Sequence, residues 1–230
     1  MVTRGPREAK RRTISEVVHS QMLYAAPVWA ASMKKKTIIC KYAQVQRRMA
    51  LRVVSSYRTV SDSAALVLAS LPPIYLLAKQ RNKIYYAMKQ ILHADVYLLP
   101  KQIEAIKTQA RKLLLKEWQE RWDREVKGRW THRMIPSVER WVSRTHGKVN
   151  YYLTQVLTGH GCFNKYLYDF KIADSSICKL CHTAIDDVEH TLFQCKEWEA
   201  EREMCNANLQ LILDPDSMVD AMLSSKESGQ

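Results

Sequence analysis

Three cysteines and one histidine, Cys178, Cys181, His190 and Cys195, fall within eighteen residues at the spacing C-x2-C-x8-H-x4-C. A segment this short cannot build a hydrophobic core of its own. Three thiols beside an imidazole are the ligand set of a closed, four-coordinate zinc site. The spacing therefore dictates a small unit folded round one metal ion. Cys178 and Cys181 can bend round the ion as a tight turn, and His190 and Cys195 can come from a turn leading into a helix. With all four positions taken by protein, no place is left for water, so the zinc is expected to be structural and not catalytic.

The same residues admit other readings, each with a requirement. Cys178-Lys179-Leu180-Cys181-His182 matches the haem-attachment pattern, which needs an exported chain. A thioredoxin-like C-x-x-C needs a βαβ setting, and none is visible. His182 could replace His190, but it stands awkwardly beside Cys181. Asp186-Asp187 looks like a polymerase carboxylate pair. It lies inside the knuckle loop with no flanking strand, so it reads as solvation of that loop.

Charge sets this unit apart from the rest of the chain. Residues 173–230 hold four Lys/Arg against twelve Asp/Glu, a net of −8, whereas residues 1–172 are at +21. A body this basic suggests a polyanion partner, most often nucleic acid; a solvated basic surface is the bland alternative. Met1 to Lys10 lacks the apolar run of a signal peptide, and no run approaches the ~20 residues of a membrane span. An intracellular, reducing setting is expected, with no membrane partner. Cys40, Cys162 and Cys205 are scattered and do not suggest a disulfide framework.

The body reads as helical. Six glycines and seven prolines in 230 residues are few, which favours long helices over a many-stranded sheet. Residues 1–12 form a basic leader, expected to fray. An apolar helical pattern over 13–31 should end or kink at Pro27. Over 36–54, Ile38, Tyr42, Val45, Met49 and Val53 recur at steps of three and four as one buried stripe. Lys41, Gln44, Arg48 and Arg52 line the other face, with Arg47 beside it, and such a face could track phosphates. Thr59 or Ser61 fits the N-cap of a short helix ending before Pro72-Pro73. The next helix opens at Pro73, with Leu77, Ile84, Met88 and Ile91 inward. Pro100 marks the following break. A long helix over 101–127 carries Trp118 and Trp122 on one face, more suited to core than to base stacking. Gly128 ends it. A loop and a short helix follow over 129–147, then another helix over 149–158. His160 lies between two glycines, which invites a catalytic reading; a tight turn needing positive φ is the simpler one. Lys196–Ser224 reads as one or two acidic helices interrupted at Asp214-Pro215.

Taken together, these segments resemble one family. Tyr24-Ala25-Ala26-Pro27-Val28-Trp29, Gln46-Arg47-Arg48-Met49-Ala50-Leu51-Arg52-Val53, Tyr57-Arg58-Thr59-Val60-Ser61 and Leu71-Pro72-Pro73-Ile74 look like the thumb and post-thumb region of arthropod non-LTR (LINE-type) retrotransposon reverse transcriptases. Gly128-Arg129-Trp130-Thr131, Tyr151-Tyr152-Leu153-Thr154-Gln155, Leu157 to Phe163 and the knuckle through Cys195 continue the likeness in the same order. It spans roughly residues 14–223 and is closest to the clade inserting in ribosomal DNA or telomeric repeats.

The resemblance implies a mainly α chain: a basic leader (1–12), a thumb-like helical region (13–95), a helical linker region (96–172), a CCHC zinc knuckle (173–198) and an acidic helical tail (199–230). In that family one polypeptide carries an endonuclease, a reverse transcriptase and this C-terminal region, and copies element RNA onto a nicked target strand. The palm motif, an aromatic-x-Asp-Asp binding catalytic Mg2+, is absent from this sequence, so polymerase activity of the chain alone is not expected. What is expected is a nucleic-acid-binding fragment supporting RNA-directed DNA synthesis. Its partners would be RNA, target DNA and the remainder of the polyprotein, in the nucleus at the site of integration. Lys41, Arg47, Arg48 and Arg52 would form the phosphate surface, and Cys178, Cys181, His190 and Cys195 would hold zinc. The alternative is a domesticated nucleic-acid-binding or protein-docking zinc protein without polymerase activity.

Overall fold

The structure, a computed structural model, describes residues 7–92 and 99–224. Among these residues every regular element is helical, and the β-type contact is an isolated antiparallel bridge between Ile177 and Ile185. The expected mainly α class holds. The chain divides into two compact units. The first comprises residues 1–53 and 65–124, and the second 54–64 and 125–230. The division expected at residue 96 lies among residues 93–98, outside the described ones, as does half of the basic leader.

In the first unit α1 (Glu8–Met22) starts inside the segment read as a leader. Glu8 lies in its first turn, where the helix dipole favours an acid, and meets Arg12 at 3.1 Å one turn on. Pro27 does not end this helix. The break comes earlier, where Ala25 takes φ 48°, and Pro27 sits in the first turn of α2 (Ala26–Trp29), a position where its missing N–H is harmless. A 3-10 turn, Ala30–Lys34, leads into α3 (Lys36–Val53). α3 buries Met49 and Val53 as expected, but Ile38 and Tyr42 are half-buried and Val45 is exposed. The fully buried place between them goes to a polar residue, Gln46.

The reason lies at the next prolines. α4 (Asp62–Leu68), capped at Ala64 N–H by the Ser61 hydroxyl, carries the chain back into this unit. Pro72-Pro73 then precede α5 (Ile74–Leu92), whose first N–H groups have no helical acceptor. Gln46 Oε1 accepts from Ile74 N–H at 2.9 Å, and Gln46 Nε2 donates to the Pro72 carbonyl at 2.8 Å. Its second hydrogen points at His19 Nε2, 3.1 Å away, and His19 Nδ1 lies 3.4 Å from the Ser15 hydroxyl. One buried amide thus ties α1 and α3 to the start of α5. Leu23, Ala26, Met33, Ile74 and Ala78 form the apolar cluster beside it. α6 (Pro100–Arg124) packs along α5, with Lys79 bonded to Glu117 at 2.7 Å and Arg121 over the Tyr75 ring. Trp118 and Trp122 are buried, which gives them the core role expected.

The second unit contains α7 (Arg129–Met134), α8 (Val138–Ser143), α9 (Tyr151–Thr158) and α10 (Asn164–Asp169), all short. Two helices stand where one and a loop were expected over 129–147. Asn150 caps α9 and Gly159, at φ 70°, closes it. Gly161 serves a different end. A Cβ there would lie 2.0 Å from Gln155 Oε1, the atom that accepts from Cys162 N–H. His160 is therefore part of a close-packed turn. The acidic tail is α11 (Glu199–Leu209) and α12 (Met218–Ser224), separated at Asp214-Pro215 as the sequence suggests.

Candidate metal centre

The four sequence-predicted ligands converge. The donor atoms of Cys178, Cys181, His190 and Cys195 all lie within 4.8 Å of one another. Cys178 Sγ and Cys195 Sγ are 3.9 Å apart, and Cys181 Sγ is 3.3 Å from His190 Nε2. A tetrahedral ion with metal–sulfur bonds near 2.3 Å spaces two sulfurs by about 3.8 Å. Two donor pairs thus already stand near the spacing of one shared metal ion, and the donor set suits zinc. Cys178, Cys195 and His190 are buried, so the site is closed.

Local backbone explains the convergence. The Ile177–Ile185 bridge, with Cys178 N–H to Ala184 O at 2.9 Å and Asp186 N–H to Ser176 O at 2.9 Å, folds the first cysteine pair into a narrow loop. The loop closes where His182 N–H donates to Cys178 O, with His182 at φ 55°. His182 is exposed and faces the role of turn residue, not ligand. A single π turn, His190–Gln194, sets the other two ligands, and Cys195 N–H returns to His190 O at 2.7 Å. Thr183 donates its hydroxyl to Cys181 Sγ at 3.3 Å and, with its amide, holds that thiol down at about 6. Burial pushes the Cys195 thiol up. A bound cation would take both as thiolates.

Asp186 and Asp187 do more than solvate the loop, which corrects the sequence reading. Asp186 accepts from Asn164 N–H at 2.9 Å and from the Thr191 hydroxyl at 2.6 Å, tying α10 to the π turn. Asp187 accepts from His190 N–H at 2.8 Å and so caps the turn carrying the ligand. Asn164 completes the frame by donating to Ile177 O at 2.9 Å. Outside this frame, Arg133 of α7 binds Glu189 at 3.0 Å and grips both oxygens of Asp216 at 2.9 and 3.0 Å. These acids hold its guanidinium firmly charged and keep the Asp216 carboxyl below its ordinary range. None of these partners has a sequence signature, and only the fold brings them together.

The expected phosphate-binding residues lie on α3. Lys41, Arg48 and Arg52 share one exposed face, seven and four residues apart. Arg47 lies off that face and is half-buried. α3 contains five basic residues and no acidic one. No helix of the described residues is long and apolar enough to cross a membrane.

The comparisons with known proteins bear on this arrangement. The chain is 30% identical over 229 residues to the 115 kDa protein of type-1 retrotransposable element R1DM of Drosophila melanogaster, a match covering 96% of this chain and 22% of that protein. It is a homologue of type-1 retrotransposon polyproteins. The retrovirus-related Pol polyprotein of the R1 element of Bradysia coprophila is 29% identical over 82% of the chain and 19% of its own length. A polyprotein of the R1 2 element of Nasonia vitripennis is 26% identical over 89% of the chain and 51% of its own length. The chain therefore spans about a fifth of the first two relatives and about half of the third. No family model and no solved structure matches it.

Proposed function

We propose that this chain is the nucleic-acid-holding region of a retrotransposon-encoded polyprotein, with a helical grip and a structural zinc knuckle. The observation that carries the reading is the face of α3. Lys41, Arg48 and Arg52 point to solvent there with no ion pair among the described residues, on a helix without a single acid. Cations on a rigid helix suit a sequence-independent grip on a phosphate backbone. The knuckle's acidity opposes direct phosphate contact by its loop, so its work is to fix the local fold. Zinc would be held by Cys178, Cys181, His190 and Cys195 and would supply folding energy, not chemistry. In the polyprotein, such a region would hold element RNA and nicked target DNA during RNA-directed DNA synthesis in the nucleus. Catalytic Mg2+ would belong to palm carboxylates that this sequence does not contain.

Titrating the chain against labelled duplex across 50–200 mM salt tests this. Binding should weaken steeply with salt. Reversing Lys41, Arg47, Arg48 and Arg52 to Glu should flatten the log–log slope by about 3 to 4, near 0.9 per phosphate contact. An unchanged slope would reject the reading.

A second reading, a protein-docking module, has its own observation. A cavity of about 450 Å³ beside the π turn is lined by Leu192, Phe193, Trp198, Leu213 and Met218 together with Arg202. Arg202 Nη1 is buried there without a hydrogen-bond partner among the described residues. Such a cavity can take an apolar side chain with a neighbouring carbonyl or carboxylate.

A further inference from the structure

The second unit carries a row of aromatic rings outside the metal-ligand set. Tyr152 packs edge-on against Tyr151 at 5.5 Å between centroids, Tyr151 lies 6.2 Å from Tyr57, and Tyr57 lies 5.8 Å from Tyr166. Tyr166 continues to Phe170 at 4.8 Å and to the His160 ring at 5.0 Å. The row is drawn from the loop before α4, helix α9, the turn that follows it, and helix α10 with its C-cap.

These rings are not core. None of the six is fully buried; Tyr152 is 70% exposed and Phe170 is 48% exposed. The polar atoms of Tyr57, Tyr151, Tyr166 and His160 are held by hydrogen bonds. Tyr57 Oη and Tyr151 Oη are 2.7 Å apart, and the Thr59 hydroxyl lies 2.8 Å from both His160 Nδ1 and Tyr166 Oη. Rings fixed in this way lose little freedom when something lies against them, which makes them a preorganised surface.

The row is also electrically neutral. Hydrogen bonding to Tyr151, with burial, pushes the Tyr57 hydroxyl up to about 12, and burial holds the His160 imidazole below its usual value. At neutral pH it offers flat π-faces without charge. Exposed Lys148 lies four residues before Tyr152, and exposed Lys171 directly follows Phe170. Flat rings between flanking cations are how proteins hold unpaired bases while meeting the backbone.

We infer that the Tyr152–Tyr57–Phe170 row is a stacking platform for single-stranded nucleic acid, separate from the phosphate face of α3. It rests on the nucleic-acid reading above and assigns it a second site with a different chemistry. Duplex bases are already stacked on each other and cannot use it, so the platform selects unpaired strand.

The test uses the full chain with zinc, a 20-nucleotide oligo-U RNA, an oligo-dT DNA of equal length, and a duplex control. Tyr152→Ala and Phe170→Ala remove exposed rings and should leave the fold intact, as far-UV circular dichroism will report. The double variant should lose about thirtyfold or more in single-strand affinity, with duplex affinity and the salt slope unchanged. Tyr152→Trp should retain binding. If RNA and DNA lose affinity equally the platform reads bases only; a larger loss on RNA would add recognition of the 2′-hydroxyl. Unchanged single-strand affinity in a folded double variant would overturn the platform and leave the α3 grip standing. A wild-type chain that binds neither strand nor duplex at 50 mM salt would sink both readings.

Discussion

Cys181 Sγ and His190 Nε2 stand 3.3 Å apart across nine positions of sequence, held there by two different turns. The bridge at Ile177–Ile185 sets the cysteine, and the Asp187 cap on His190 N–H sets the imidazole.

The metal content follows from that pair. Freshly purified, reduced protein should contain about one zinc per chain. Cys178→Ser or His190→Ala should abolish stoichiometric zinc, and chelation should expose residues 176–195 to proteolysis while the first unit stays folded. Elemental analysis checks the first point and limited digestion the second. Asp187→Ala should weaken zinc retention about 10- to 100-fold, because it frees the turn that presents His190.

Gln46 is the second position where a single side chain carries much of the local order. Gln46→Ala leaves Ile74 N–H, the Pro72 carbonyl and His19 Nε2 without their shared partner. Buried groups orphaned in this way cost about 1–3 kcal/mol each, so a loss of at least about 3 kcal/mol is expected in urea denaturation. Gln46→Glu should also destabilise, since a carboxylate cannot donate to Pro72.

His19 gives that network a pH dependence. Burial lowers its pKa from the usual 6.5, against smaller opposing effects of Ser15 and Glu16. Near pH 6.5 the unfolded chain then binds more protons than the folded one, so stability rises with pH there. The first unit should hold its full stability above about pH 7 and lose it as pH falls below about 6.5. Denaturation midpoints at pH 7.5 and 5.5 measure this, and His19→Gln should reduce the difference between them.

Gly128 is fixed by space as well as by backbone. It has φ 76°, and a Cβ there would approach Ser61 Oγ to 2.6 Å. Gly128→Ala should destabilise the second unit by about 1–3 kcal/mol, and adding Ser61→Ala should recover part of the loss. Thermal unfolding of the single and double variants measures both effects.

What could be read from the sequence was what local chemistry fixes. Four ligands at knuckle spacing, a proline opening α5 and a serine capping α4 carry their meaning within a few residues. Partners supplied by the fold were silent. Nothing along the chain couples Gln46 to Pro72, or Arg133 to Asp216. Asp186-Asp187 looked like solvated acids because their acceptors' partners, Asn164 and His190, are set by the turn geometry. Gly159 announced its positive φ, but Gly161 needed the position of Gln155 to be understood. α1 began early because Glu8 and Arg12 pair as a helix turn, which a basic composition alone hides.

The most direct test of the central claim is ultraviolet crosslinking of the intact chain to a primer–template with a single-stranded overhang, with crosslinked peptides identified by mass spectrometry. Duplex crosslinks should fall on the α3 peptides spanning residues 37–52, and overhang crosslinks on peptides containing Tyr152 and Phe170. Crosslinks confined to the knuckle loop, residues 182–189, with none on α3, would contradict it.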